Sequence, residues 1–137
     1  MTARQAAQFT VESGQSVAAN LLQAQPKIDA MWNHDDDQGV GVLAAINQAN
    51  RDEFFMVGGA GSLNAMQLIK QDSGVLKATV TYSPSMASSA ISLARLIAQS
   101  KGMSDLVEKQ VPASITLASE TITKDNVDQY TSLGFQS

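Results

Sequence analysis

The stretch FFMVGGAGSLNAMQLI, Phe54 to Ile69, decides the architecture. Phe54 to Val57 is a short apolar, β-prone run, and Gly58, Gly59, Ala60 and Gly61 make the turn that follows it. Ser62 then caps a helix that carries Leu63, Met66 and Ile69 at helical spacing. A strand, a tight turn and an amphipathic helix form the unit from which helix-covered parallel sheets are built. The unit recurs on both sides. Downstream, Ala78 to Tyr82 reads as a strand, Pro84 suits a first helical turn, and Ala87, Ala90, Ile91, Ala94 and Ile97 form a stripe. Upstream, Ile28 to Trp32 reads as a strand before a helix with Val40, Leu43 and Ile46, whose start carries Asp35, Asp36 and Asp37. Farther upstream, Ala3 to Ala7 is a weaker strand, followed by a Thr10-capped helix with Val17, Leu21 and Leu22 that ends before Pro26.

After Gly102 the pattern changes. Ser114 to Leu117 and Glu120 to Ile122 are short β-prone pieces, followed by a Thr123-capped helix with Val127 and Tyr130. The expectation is an α/β fold, a three-layer αβα parallel sheet, in one unit spanning 1–137, with 103–137 as connector strands and closing helix. There is no tandem repeat and no low-complexity linker.

Composition narrows the function classes. A chain of 137 residues, 44% hydrophobic and 16% charged, has the make-up of an ordinary globular domain. A net charge of −4 without a Lys or Arg cluster argues against nucleic acid and anionic membranes as partners. No apolar run reaches the ~18 residues of a membrane span, and Met1 to Phe9 does not read as an export signal. The absence of cysteine excludes disulfides, thiolate metal sites and thiol nucleophiles. His34 is the only histidine, so any Ser-His-Asp triad depends on it and a multi-histidine metal site is excluded. No catalytic residue, metal ligand or cofactor is assigned.

Ligands of open parallel sheets bind beyond the carboxyl ends of the strands, where loops converge and helix N-termini present free N–H groups. The loops meeting this description are Phe9 with Thr10, Asn33 to Asp37, Gly58 to Gly61, and Tyr82 to Ser85. They contain aromatics, a carboxylate cluster and a glycine-rich turn. Carboxylates accept hydrogen bonds from sugar hydroxyls, and aromatic faces cover the C–H faces of sugar rings. Plainer readings stand beside this one: three Asp residues as solvated caps, His34 as a surface residue, Phe9 and Tyr82 as rim or core aromatics. The glycine turn lacks the G-x-G-x-x-G spacing of a phosphate cradle.

The chain resembles the ribose-binding type of periplasmic sugar-binding proteins, the type I solute receptors of ABC importers. The segment NLLQAQPKIDAMWNHDDDQGVGVLAAI, Asn20 to Ile46, is similar to the family's helix, Pro, strand and Asn-Asp pair before a glycine-containing helix. MVGGAG, Met56 to Gly61, stands in place of its Val-Gly-Phe-Asp-Gly turn. LKATVTYSP, Leu76 to Pro84, stands for its Ala-Thr-Val-x-Gln-x-Pro strand, and ETITKDNVDQY, Glu120 to Tyr130, for its closing segment. The resemblance implies a sugar ligand, no enzymatic activity, an ABC permease as partner of the full-length receptor, and a periplasmic or lipid-anchored extracellular location. It places the stacking aromatic on Phe9, the ligand-binding Asn on Asp35 and a helix-capping Asp on Asp36. The sugar-binding Asp of the turn falls on Ala60 and the strand-end Gln on Tyr82, which weighs against ribose and leaves a hexose or another polyol. Phe9, Asp35 and Tyr82 are thus the ligand-binding candidates, with Ala60, His34 and Asp36 as neighbours.

The alternative from another class is the effector lobe of a LacI-type transcription regulator, which shares the fold and much of the Asn-Asp motif. An enzyme of flavodoxin-like architecture would have only His34 as its base. The resemblance covers the later part of the family's second lobe, so the first lobe and one central strand with its helix have no counterpart here. An unpaired sheet edge and uncovered helices then imply a homodimer or higher assembly and weak sugar binding by this chain alone.

Overall fold

The computed structural model describes residues 3–82, 85–99, 116 and 118–136. Helix α1 (Val11–Ala24) begins at Thr10, which has extended backbone and a side chain that accepts from the Ser13 N–H at 3.2 Å. It ends before Pro26, as expected, because proline cannot continue the hydrogen-bond ladder. Helix α2 (Asp36–Gln48) packs directly on it, burying Val42, Ala45 and Ile46 on the side that meets Ala18 and Leu22. Two glycines allow the close approach. A Cβ on Gly41 would stand 1.9 Å from the Val11 carbonyl oxygen, and one on Gly14 would stand 2.3 Å from the Gln38 carbonyl oxygen.

The sheet has the order β1-β2-β3-β4. Strands β1 (Ala30–Trp32), β2 (Phe55–Ala60) and β3 (Leu76–Thr81) are parallel, and β4 (Thr121–Thr123) joins β3 antiparallel. Helix α3 (Leu63–Gln71) connects β2 to β3, and its cap is the predicted one: the Ser62 hydroxyl accepts from the Ala65 N–H at 3.2 Å. Met56 and Leu76 from the sheet join Ile46, Ala65 and Ile69 in one core. A second, smaller core of Met66, Ile122 and Val127 fixes β4 and α5 (Val127–Tyr130) against α3. The chain then turns through a 3₁₀ helix (Thr131–Leu133), and the Phe135 carbonyl accepts from the Leu63 N–H at 2.9 Å.

Strand alternation gives the sheet two unlike faces. Met56 and Thr79 are buried on the helical face, whereas Trp32 is 67% and Phe55 50% exposed on the other. Helix α4 (Ser85–Ala98) forms where the sequence places it, but its stripe does not enter a core: Ile91 is 70% and Ile97 53% exposed. Among the described residues no element packs closely on that stripe. No described helix is long and apolar enough to cross a membrane.

Other departures are local. Ala3 to Ala7 is not a strand; Ala-Arg-Gln-Ala-Ala lacks β-branched and aromatic residues, and no described strand pairs with it. Gly58 and Gly59 lie within β2, so the turn begins only at Gly61. Thr123 ends β4 and does not cap the last helix, because Asn126 accepts from the Thr123 N–H at 2.8 Å and donates to the Thr121 carbonyl at 3.0 Å, closing a turn before Val127. Pro84 and all of Ser114 to Leu117 except Thr116 lie outside the described residues.

Candidate functional site

The three consecutive carboxylates do three different things. Asp35 has extended backbone and is the N-cap of α2, its Oδ1 accepting from the N–H groups of Asp37 at 3.0 Å and Gln38 at 3.3 Å. Asp36, the residue expected to cap, points away from its own helix. Its buried Oδ2 accepts from the N–H groups of Gly61 at 3.0 Å and Ser62 at 2.8 Å, and Thr79 Oγ1 lies 3.2 Å from both carboxylate oxygens. Asp37 is exposed at the surface of the first turn.

Gly58 makes room for the Asp36 side chain, since a Cβ there would come within 2.6 Å of Oδ1. Burial pushes the Asp36 carboxyl above its ordinary value, against the hydrogen bonds from Ser62, Thr79 and Gly61 that favour the ionised form. The same bonds answer the phosphate question: the N–H groups of Gly61 and Ser62 are already taken by a carboxylate of this chain.

The next strand end completes the arrangement. Tyr82 donates its backbone N–H to the Ala60 carbonyl at 3.4 Å and its hydroxyl to Asp35 Oδ2 at 3.3 Å. Its phenol is held above its ordinary value, first by partial burial and then by the charge of Asp35, whose hydrogen bond, with the charges of Asp36 and Asp37, adds to it. Ala60 is 3% exposed and takes a φ of 127°. The loop before α1 is held at the same edge, because Gln38 Nε2 donates to the Gln8 carbonyl at 2.8 Å. Phe9, the neighbour of Gln8, is 71% exposed. His34 stacks on Trp32 with ring centroids 4.1 Å apart.

The structure therefore brings Asp35 and Tyr82 into contact, holds Ala60 and Asp36 beneath them, and leaves Phe9 and His34 flanking and exposed. Sequence reasoning missed the supports. Asn33, buried, donates its N–H to the Val57 carbonyl at 2.9 Å and its side-chain amide to the Asp35 carbonyl; Gln38 and Thr79 hold the flanking loops. A threonine inside an apolar strand was the one available signal, and its partner lies 43 positions away. Chemically, the edge offers an anionic acceptor, a phenol hydroxyl and exposed aromatic faces. No group of three or more potential ligands that could hold a metal ion occurs among the described residues.

Residues 2–102 match the periplasmic binding protein domain, and the chain belongs to that family. It is 36% identical over 83 residues to the ribose import binding protein RbsB of Bacillus subtilis, a match covering 61% of this chain and 26% of that protein. It is 28% identical over 118 residues to RbsB of Haemophilus influenzae, covering 86% of this chain and 38% of the relative. Among solved structures, an ABC transporter solute-binding protein of Actinobacillus succinogenes with bound D-allose superposes with a TM-score of 0.79 at 21% identity, over 95% of this chain and 43% of that one. The arabinose-transporter binding protein of Shewanella sp. ANA-3 gives 0.78 at 20% identity, over 96% and 42%. The fold is thus that of the type I binding proteins, with a parallel-rich sheet, and the chain spans well under half the length of these relatives.

Proposed function

We propose that this chain is part of the sugar-capturing lobe of a solute-binding protein serving an ABC importer, and that Phe9, Asp35 and Tyr82 contact a monosaccharide or related polyol. The observation that carries the reading is the meeting of Asp35 and Tyr82 at the carboxyl edge of a parallel sheet, where such folds bind ligands. The relatives support transport rather than the effector lobe of a LacI-type regulator, since those compared are import binding proteins. The periplasm and an ABC permease follow as location and partner of the whole receptor. A single lobe supplies only part of a closed site, so this chain alone binds weakly. Its uncovered apolar surfaces favour a homo-oligomer.

Ala60 bears on the choice of sugar. It offers a methyl group where the resemblance places a carboxylate, leaving a ribose hydroxyl without its acceptor and favouring hexoses or other polyols. The decisive experiment is calorimetric titration of a receptor containing this lobe with D-allose, D-galactose and D-ribose. Asp35→Ala weakens binding by about 1.5–3 kcal/mol, the usual worth of a hydrogen bond to a charged group. Asp35→Asn, which keeps the helix cap, separates lost recognition from lost folding. Unchanged affinity in both variants would refute the site, and ribose binding more tightly than the hexoses would refute the preference.

A further inference from the structure

The contacts that place Tyr82 at the edge are long. Its hydroxyl stands 3.3 Å from Asp35 Oδ2 and its N–H 3.4 Å from the Ala60 carbonyl, both beyond the usual hydrogen-bond ranges. The firmer ties lie beneath. Asp36, next to Asp35 at the start of α2, accepts the N–H groups of Ser62 at 2.8 Å and Gly61 at 3.0 Å, directly after Ala60. Thr79, on the strand that leads to Tyr82, bridges the same groups. Its hydroxyl lies 3.2 Å from both Asp36 oxygens and accepts from the Gly61 N–H at 3.3 Å. Helix α2, the turn after β2, and β3 therefore meet at one carboxylate.

No ion pair reaches Asp36 among the described residues, so the junction is held by hydrogen bonds to a charged acceptor, roughly twice as strong as neutral ones. Thr79 is 0% and Asp36 6% exposed. Groups so enclosed act on a ligand only by placing others. Resting on the sugar-binding reading above, we propose that Asp36 and Thr79 are a buried positioning pair: they hold Tyr82 within reach of Asp35 and set sugar affinity without touching the sugar. Recognition side chains need supports of this kind to stay within about 0.5 Å of their working geometry. The long contacts at the edge do not supply that precision.

Thr79→Val keeps the side-chain shape and changes no charge, so any movement of the Tyr82 phenol titration reports a change of place. The chain is labelled at its tyrosine ring carbons and titrated by NMR, with Tyr130, the only other tyrosine, as reference. In Thr79→Val the Tyr82 phenol should fall toward its ordinary value as its hydroxyl leaves Asp35, and Thr79→Ser, which restores the bridging hydroxyl, should return it. Gly58→Ala presses on the same carboxylate from its other side, where a Cβ would stand 2.6 Å from Oδ1, and should move the phenol likewise, so the result does not hang on one variant folding. D-allose titration of the same chains, followed by amide shifts, should show binding weakened by about 3- to 10-fold in Thr79→Val, the scale of one neutral hydrogen bond, and restored in Thr79→Ser. An unmoved Tyr82 titration in both variants overturns the pair, and a moved one with undiminished D-allose affinity overturns its part in binding. A moved phenol with no D-allose shifts even in the wild type sinks the sugar reading and leaves the placement of Tyr82 by Asp36 and Thr79 standing.

Discussion

Ala60 holds a φ of 127°, in a region that residues with a Cβ rarely occupy, and it does so buried at the end of β2 next to the candidate site. Such strain typically costs about 1–3 kcal/mol and persists only where the surroundings enforce it. Replacing a buried alanine by glycine ordinarily loses ~0.8 kcal/mol of methyl burial and roughly 0.5–1 kcal/mol of backbone entropy. At Ala60 the relieved strain offsets both. Ala60→Gly should therefore leave stability nearly unchanged or raise it, whereas Ala78→Gly, without positive φ, should cost about 1.5 kcal/mol by the same terms. Urea unfolding of the two variants checks the contrast, and equal losses would remove the claim of strain. This scale was the least legible in the sequence. Three adjacent Asp residues announce a helix start, but the choice of Asp35 as cap and Asp36 as buried strut depends on Gly58 and Thr79, which only the folded sheet brings near.

At the level of elements, α1 and α2 meet through backbone rather than through long side chains. Gly41→Ala would force a methyl group against the Val11 carbonyl, an overpacking that typically costs 1–3 kcal/mol. A loss below about 0.5 kcal/mol in thermal or urea unfolding would show that the two helices separate easily. A second element contact is electrostatic. Asp72, the left-handed C-cap of α3, pairs with Lys77 at 2.6 Å and Lys124 at 2.9 Å, and these partners, Lys77 foremost, hold its carboxyl down to about 2. A lowered folded value means the stabilisation is present above the ordinary 3.8 and is lost as pH falls through about 2. Acid titration of the fold should lose part of its steepness between these values in Asp72→Asn, which keeps a residue tolerant of positive φ. Helices were legible because Thr10, Ser62 and Pro26 mark their ends and the apolar spacing marks their faces. Strand limits were not, because an apolar run does not reveal where pairing stops: β2 continues through Gly58 and Gly59, and Ala3 to Ala7 pairs with no strand among the described residues.

Over the whole molecule, the fold class was legible from the repeated strand and helix units, while the distribution of covered and uncovered surface was not, since it depends on which strands are neighbours. One sheet face is packed under α2 and α3; the other presents Trp32, Phe55 and Val80, and α4 presents Ile91 and Ile97. Exposed apolar surface of this kind favours association. Light scattering over a dilution series should find a dimer or larger species, and Phe55→Lys, which places a charge on the open face, should shift the chain toward monomer. A wild-type monomer at every concentration would contradict this. The stacked pair on that face has a practical side. Trp32 and His34 are the chain's only tryptophan and only histidine, and His34 directly precedes Asp35. The protein thus carries an unlabelled optical reporter at its own candidate site. A ligand that displaces the imidazole should change the indole emission, and His34→Ala should silence that signal without a dye having been attached.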